Sequence, residues 1–189
     1  MNRKRTRPVI VVDYDPSWPR TFETLKSRIL SVVGSVALGV EHVGSTAVPG
    51  LAAKPIIDLD VIVATAADVP IATERLATLG YLPRGNLGIP GREAFASPPG
   101  SVAHHMYVCV RSSTALANHL AIRDYLRRNA ALAGRYGRLK KQLAEQFPTD
   151  RDRYIAGKTD FILAALREAG LPNDVLTAID DGNRTSGPP

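Results

Sequence analysis

Two aspartates stand inside one of the most apolar runs of the chain. Asp58 and Asp60 belong to residues 56–63, IIDLDVIV, whose branched side chains predict a β-strand. Because side chains alternate along a strand, both carboxylates point to the same face. Two desolvated carboxylates repel each other unless a proton or a cation compensates them. The pair therefore predicts a site for Mg²⁺, or for Mn²⁺ in its place; an edge strand with both aspartates in water is the alternative.

A turn-rich segment precedes this strand. Gly44, Ser45 and Thr46 follow a predicted strand at residues 36–43 and come before a short predicted helix. Backbone N–H groups at such a turn are unpaired and bind phosphate readily, and the two hydroxyls add donors. A plain helix cap is the alternative. Together, the turn and the carboxylate pair predict a triphosphate cradle facing a magnesium site.

Strands and helices alternate around these residues. Strands are predicted at 36–43, 56–63 and 103–110. One helix is predicted before the first strand and another between the second and third, and residues after 113 are helical to about 170. The first stripe consists of Trp18, Phe22, Leu25, Ile29 and Val32, and Gly34 ends it. Thr149 and Asp152 are typical of a capping box at the start of the last helix. The pattern predicts an α+β, or mixed α/β, fold: a mixed β-sheet packed with helices, with a helical C-terminal part.

Length and composition indicate one globular domain. The chain has 189 residues, of which 44% are apolar and 22% charged. Residues 1–8 are expected to form a flexible basic arm, residues 9–171 the domain, and residues 172–189, where periodicity is lost, a disordered tail.

Charge and cysteine content bound the partners and the compartment. The net charge of +6 suits an anionic partner such as a nucleotide, while nucleic acid is possible but not favoured. The single cysteine, Cys109, favours a reducing, cytoplasmic setting. No apolar run approaches the length of a membrane span, so no membrane partner is expected.

The segment HVGSTAVPGLAAKPIIDLDV, residues 42–61, resembles the core motif of the GrpB-like family within the nucleotidyltransferase superfamily. Its glycine-serine turn is followed, after twelve residues, by the D-x-D pair. The resemblance continues from about residue 10 to 170 through DYDPSWPRTFE, AHHMYVCV, HLAIRDYLRRN, YGRLKKQLA, Arg153-Tyr154 and Lys158. It implies a nucleotidyltransferase-like mixed sheet with packed helices, magnesium on Asp58 and Asp60, and nucleotide phosphates on residues 44–46.

The chain departs from that pattern at the third carboxylate. The superfamily often supplies one from a later strand, but AHHMYVCV offers His104 and His105 instead. The family usually shows a further histidine where this chain has Tyr107. His105 and Tyr107 share one strand face, so His105 is a candidate to join the aspartates as a ligand or an acid/base group. A hydrogen-bonded structural histidine is the alternative.

Four more residues are candidates for nucleotide binding. Lys54 stands just before the aspartate strand, and Arg92 lies in a glycine-rich segment, where each can meet a phosphate. Tyr154 and Lys158 share one helical face, where the ring can stack on a base and the ammonium can meet a phosphate. A solvated lysine and a core stripe with a snorkelling lysine are the alternatives.

These residues favour a magnesium-dependent nucleotidyltransferase. It would move a nucleotidyl group from a nucleoside triphosphate to a small-molecule acceptor and release pyrophosphate, with Asp58, Asp60 and His105 as catalytic residues. A non-catalytic nucleotide- or RNA-binding module on the same fold is one alternative, and a metal-dependent phosphohydrolase is another. Product analysis separates the three.

Overall fold

A five-stranded sheet of order β1-β2-β5-β4-β3 forms the centre of the fold. The computed structural model describes residues 8–185, so nearly all of the expected basic arm and the last four residues lie outside it. The strands are β1 (Ala37–Val43), β2 (Ile57–Val63), β3 (Leu82–Pro83), β4 (Arg92–Ala96) and β5 (His104–Val110). The mixed α+β class predicted from the sequence is confirmed.

The aspartate strand lies in the interior of this sheet. It pairs antiparallel with β1 and parallel with β5, so its backbone groups are bonded on both sides. The register sets Asp58 opposite His105 and Asp60 opposite Tyr107. The edge-strand alternative is therefore wrong.

Helices cover both faces of the sheet. They are α1 (Trp18–Val33), α2 (Asp68–Ala77), α3 (Thr114–Arg128), α4 (Ala130–Gln146), α5 (Arg151–Glu168) and α6 (Asn173–Thr185). No helix among residues 8–185 combines the length and the apolarity needed to cross a bilayer.

The largest apolar core lies on the face away from the aspartates. There α1 and α2 pack against Leu59, Val61 and the neighbouring strands. Val33, fully buried, completes the inward stripe of α1 in place of the predicted Val32. Helices α3 to α5 cover the aspartate face and build a second core around Leu126 and Tyr136. The two aspartates thus point from the sheet toward the second helical layer, which consists of α3 to α5.

Two details at the C-terminal end differ from the sequence prediction. The cap of α5 is Asp150, whose carboxylate accepts from Arg153 N at 3.0 Å, one residue after the predicted Thr149. Most of the expected tail is α6, which packs against α5 and buries Leu176. Val175 and Leu176 stand four and three residues before Ile179, a short helical stripe that the prediction of a disordered tail missed.

Candidate functional site

Each aspartate of the pair is tied to a histidine. His105 Nδ1 on β5 donates to Asp58 Oδ1 at 2.8 Å, and His119 Nδ1 on α3 donates to Asp60 Oδ2 at 2.8 Å. The Asp58 side chain is 31% exposed, whereas that of Asp60 is fully buried. The two histidines therefore fix one oxygen of each carboxylate.

Asp58 is held in its charged form. Burial alone would raise the pKa of this carboxyl, but the hydrogen bond from His105 and the charges of His105, Lys54 and His119 outweigh burial. The resulting pKa lies below the ordinary value of 3.8. Asp58 therefore carries a negative charge at neutral pH.

The second oxygen of Asp60 makes no hydrogen bond of normal geometry within residues 8–185. Its Oδ1 is buried, and the thiol of Cys109, a weak donor, also interacts with this carboxylate. Such an atom is costly unless a ligand or ion satisfies it. Within residues 8–185 no group of three or more His, Cys, Asp or Glu side chains is arranged to hold a metal. Carboxylate oxygens are a ligand type that Mg²⁺ accepts, so Asp58 and Asp60 are the residues that could hold such an ion together with substrate phosphates.

Gly44 is required both by its backbone and by its closeness to Asp58. Its φ of +69° lies in the left-handed region, which favours glycine. A Cβ at this position would also clash with Oδ2 of Asp58. The turn therefore lies directly against the carboxylate pair, as the motif predicts, and Ser45–Ala47 continue it as one 3-10 turn.

Thr46 faces the interior and not the cleft. Its hydroxyl donates to the Ile56 carbonyl at 3.3 Å and lies 3.0 Å from His42 Nε2. Burial lowers the pKa of His42 to about 4, so this imidazole, stacked on Phe22, is neutral. The structure therefore gives Thr46 a structural position in place of the predicted phosphate contact.

Three lysines converge beside Ser45 and Asp58. The buried Lys140, on α4, donates from Nζ to Ser45 Oγ at 2.7 Å. Nζ of Lys158 and Nζ of Lys54 lie 5.3 and 5.8 Å from the centroid of the Tyr154 ring. The structure thus brings Lys54, Tyr154 and Lys158 together, and it adds Lys140.

These lysines share a shortage of counter-charge. Burial, joined by repulsion among the lysines, lowers the pKa of Lys140 to about 6 and that of Lys158 to about 8. Burial also lowers the pKa of Lys54. Asp58 opposes the shift of all three without cancelling it. A bound polyanion would supply the negative counter-charge that the three lysines lack and would favour their protonated forms. The cluster is therefore suited to bind an anion.

His119 and Lys140 were missed by sequence reasoning, although a signal exists. In α3, Leu116, His119, Arg123 and Leu126 follow the three-four spacing of an inward stripe. In α4, Lys140 occupies the same kind of position between Tyr136 and Leu143. A polar residue at an inward position of an amphipathic helix is the pattern that could have identified both.

The site opens into a cleft of about 270 Å³ between the sheet and the second helical layer. Its polar side includes Gly44, Ser45, Asp58, His119, Arg123 and Lys158. Its apolar side includes Ile122, Leu126, Ile162 and, from α6, Ile179. The cleft therefore offers charge at one side and an aliphatic surface at the other.

Arg92 lies next to this cleft through Tyr107. Its guanidinium stacks over the Tyr107 ring at 4.6 Å, and Tyr107 lines the cleft. Burial, helped by the charge of Asp58, raises the pKa of Tyr107 to about 12, so the phenol stays protonated. The position opposite Asp60 on β5 thus holds a neutral group.

Glu41 is the nearest counterpart of a third carboxylate. It stands opposite Asp60 on β1, the strand on the other side of β2. Its carboxylate accepts from Arg123 Nη1 at 2.6 Å. Arg123 therefore neutralises Glu41.

Replacing Gly44 tests whether glycine is needed there for its positive φ, for its closeness to Asp58, or for both. Gly50 has a similar φ of +75° but open space where a Cβ would stand, so Gly50→Ala is a matched control. We expect Gly50→Ala to cost about 1 kcal/mol from backbone strain alone and Gly44→Ala to cost more, as measured by urea unfolding. Adding Asp58→Ala to Gly44→Ala should remove the part of the excess that comes from the contact with Asp58, since the ψ of −169° at Gly44 adds strain of its own. Equal costs for the two glycine variants would contradict the close approach.

Lys140 should give stability a specific pH dependence. Because its pKa falls from 10.5 to about 6 on folding, the unfolded chain binds more protons between these values. Stability therefore rises with pH through this window. We expect the free energy of unfolding of the wild type, minus that of Lys140→Met, to increase from pH 6 to pH 9. The half-exposed Lys141, replaced in the same way, is the control, and a flat difference for Lys140→Met would refute the assignment.

Comparisons with known proteins identify the family of the chain. The family described as GrpB protein matches residues 8–168. The YqkA protein of Bacillus subtilis is 37% identical over 163 residues, which is 86% of this chain and 48% of that protein. The chain thus spans about half the length of that relative.

Solved structures give the same answer at the level of the fold. The crystal structure of the conserved protein GrpB from Enterococcus faecalis has a TM-score of 0.77 and 40% identity, covering 85% of this chain and 96% of that one. The Cid1 poly(U) polymerase with MgGTP bound has a TM-score of 0.52 at 18% identity, covering 71% of this chain and 44% of that one, a likeness of fold alone. The chain therefore belongs to the GrpB family and has a nucleotidyltransferase-like fold.

Proposed function

We propose that the protein is a metal-dependent nucleotidyltransferase that uses a nucleoside triphosphate. The observation that carries this proposal is the arrangement of charge around one cleft. An ionised carboxylate and a buried carboxylate with an orphan oxygen lie on the sheet, and three desolvated lysines lie beside them. A divalent ion and a polyphosphate together would satisfy both groups.

Asp58 and Asp60 are the residues that would hold Mg²⁺, or Mn²⁺ in its place. The bound ion would neutralise phosphate charge as a Lewis acid. His105 and His119 contribute by fixing one oxygen of each carboxylate, which leaves the other oxygen for coordination.

The phosphates would lie against Gly44 and Ser45. The Ser45 hydroxyl, oriented by Lys140, and the ammonium groups of Lys158 and Lys54 supply donors for them. The fold has already removed these lysines from water, so binding an anion does not add that desolvation cost. They therefore gain more from a bound anion than solvated lysines do. An acceptor oxygen would attack the α-phosphorus, and pyrophosphate would leave with the charge that these lysines stabilise.

His105 is the candidate general base. Asp58 holds its Nδ1, and the side chain is 43% exposed, so Nε2 is the nitrogen available to take the acceptor's proton. Tyr107 is protonated and Glu41 is bound by Arg123, so neither of these neighbours of Asp60 offers a free carboxylate for this role.

The acceptor is proposed to be a small molecule. The cleft is small and its far side is aliphatic, through Ile122, Ile162 and Ile179. These features favour a compact acceptor over a long nucleic acid. Arg92 and Tyr154 are the candidates to contact the base or the sugar from the edges of the site.

A non-catalytic nucleotide-binding module is the second candidate. The observation that favours it is the protonated Tyr107 opposite Asp60, where the superfamily often has a carboxylate. Release of pyrophosphate with a modified acceptor supports transfer, release of inorganic phosphate supports a phosphohydrolase, and binding without turnover supports the module.

Removing both carboxylates tests the ion site. We expect Asp58→Asn with Asp60→Asn to abolish the magnesium dependence of triphosphate binding, measured by calorimetry with a non-hydrolysable analogue. The variant should stay folded, because the amide oxygens of the two asparagines can still accept from His105 and His119. Glu74→Gln, an exposed change on α2, is the control. An unaltered affinity and an unaltered metal requirement in the double variant would show that the ion binds elsewhere.

A further inference from the structure

One face of α3 contacts three separate parts of the site. His119, Arg123 and Arg127 are spaced by four residues, so their side chains lie in a row along one side of the helix. His119 bonds Asp60, Arg123 bonds Glu41 and the backbone of β1, and Arg127 bonds the backbone after the phosphate turn. A single rigid element thus contacts both the carboxylate pair and the turn.

The two arginines hold the turn from both ends. Arg123 Nη1 donates to the His42 carbonyl at 2.9 Å, just before the turn of residues 44–46. Arg127 Nε donates to the Ala47 carbonyl at 2.9 Å, just after that turn. The chain between these carbonyls carries Gly44 and Ser45. Its position is therefore set by one helix through two backbone contacts.

The bonding of the arginines indicates that they position other groups. The buried guanidinium of Arg123 already has two carboxylate partners, Glu41 at 2.6 Å and Asp124 at 2.7 Å. Arg127 directs its Nε to a carbonyl, and its Nη1 lies 3.9 Å from Asp124. Charge already balanced by carboxylates is less available to a phosphate than the charge of the lysine cluster.

We infer that α3 is the positioning element that fixes the distance between the phosphate turn and the carboxylate pair. Arg123 and Arg127 set the turn, and His119 sets Asp60. The role assigned to the turn rests on the proposed function, whereas the rigidity of the turn does not. Loss of Arg127 should therefore loosen residues 44–47 and leave the ion site intact.

Hydrogen exchange tests the rigidity without any ligand. The amides of Ala47 and Val48 bond the carbonyls of Gly44 and Ser45, so their exchange reports opening of the turn. We expect Arg127→Met to speed their exchange about tenfold, with no change at β2. Arg128→Met is the matched control, because it removes the same charge from the next residue of α3, which is exposed like Arg127. Unchanged exchange in Arg127→Met would overturn the inference, whatever the protein binds.

Binding measurements then separate positioning from charge. Mn²⁺ alone is titrated by electron paramagnetic resonance, and a non-hydrolysable triphosphate with Mg²⁺ by calorimetry. We expect Arg127→Met to weaken the triphosphate about tenfold at unchanged Mn²⁺ affinity, and His119→Gln to weaken Mn²⁺. Arg127→Lys, which keeps the charge but not the Nε contact, should restore only part of the loss; full restoration would overturn positioning. A wild type that binds no triphosphate would refute the proposed function, while the exchange result would still decide the role of α3.

Discussion

The constraint on which the site depends is the burial of two carboxylates on one face of an interior strand. Asp58 and Asp60 must lie close together, because side chains two residues apart on a strand point to the same face. Each therefore needs compensation from outside its own strand. The fold supplies part of it through His105 and His119, one imidazole for each carboxylate. Among the described residues, one oxygen of Asp60 still makes no hydrogen bond of normal geometry.

The helical layer above the sheet is the complementary half of the same electrostatic arrangement. Its inward positions carry Lys140 and Lys158 where an ordinary packed layer would carry aliphatic side chains. Positive groups crowded together out of water are as unfavourable as crowded carboxylates. Asp58 of the first cluster and Lys158 of the second line the same cleft, so an ion and a polyphosphate are the ligands proposed for it. Apolar packing around Leu126, Tyr136 and the main core must stabilise the fold against this stored repulsion.

Local patterns were sufficient for much of this architecture. Strand alternation placed the aspartates on one face, and the glycine-serine motif placed the turn beside them. The resemblance to a known family supplied the identity of the fold. The stripe of Trp18, Phe22, Leu25 and Ile29 predicted α1 with an error of one residue at its end.

The remaining site residues depend on contacts that no local pattern encodes. His119 meets Asp60 across 59 residues of chain, and Lys140 meets Ser45 across 95. Thr46 turns inward because the 3-10 turn directs its hydroxyl to His42 and to the Ile56 carbonyl, although its sequence position resembles that of Ser45. The pairing of β2 with β5 joins distant segments.

The most direct measurement is a crystal structure of the protein with Mg²⁺ and a non-hydrolysable nucleoside triphosphate. The account predicts an ion between the phosphates and the carboxylates of Asp58 and Asp60, with phosphate oxygens within hydrogen-bond distance of Ser45 and Lys158. A triphosphate bound elsewhere on the protein, with the carboxylate pair still facing its histidines alone, would contradict it.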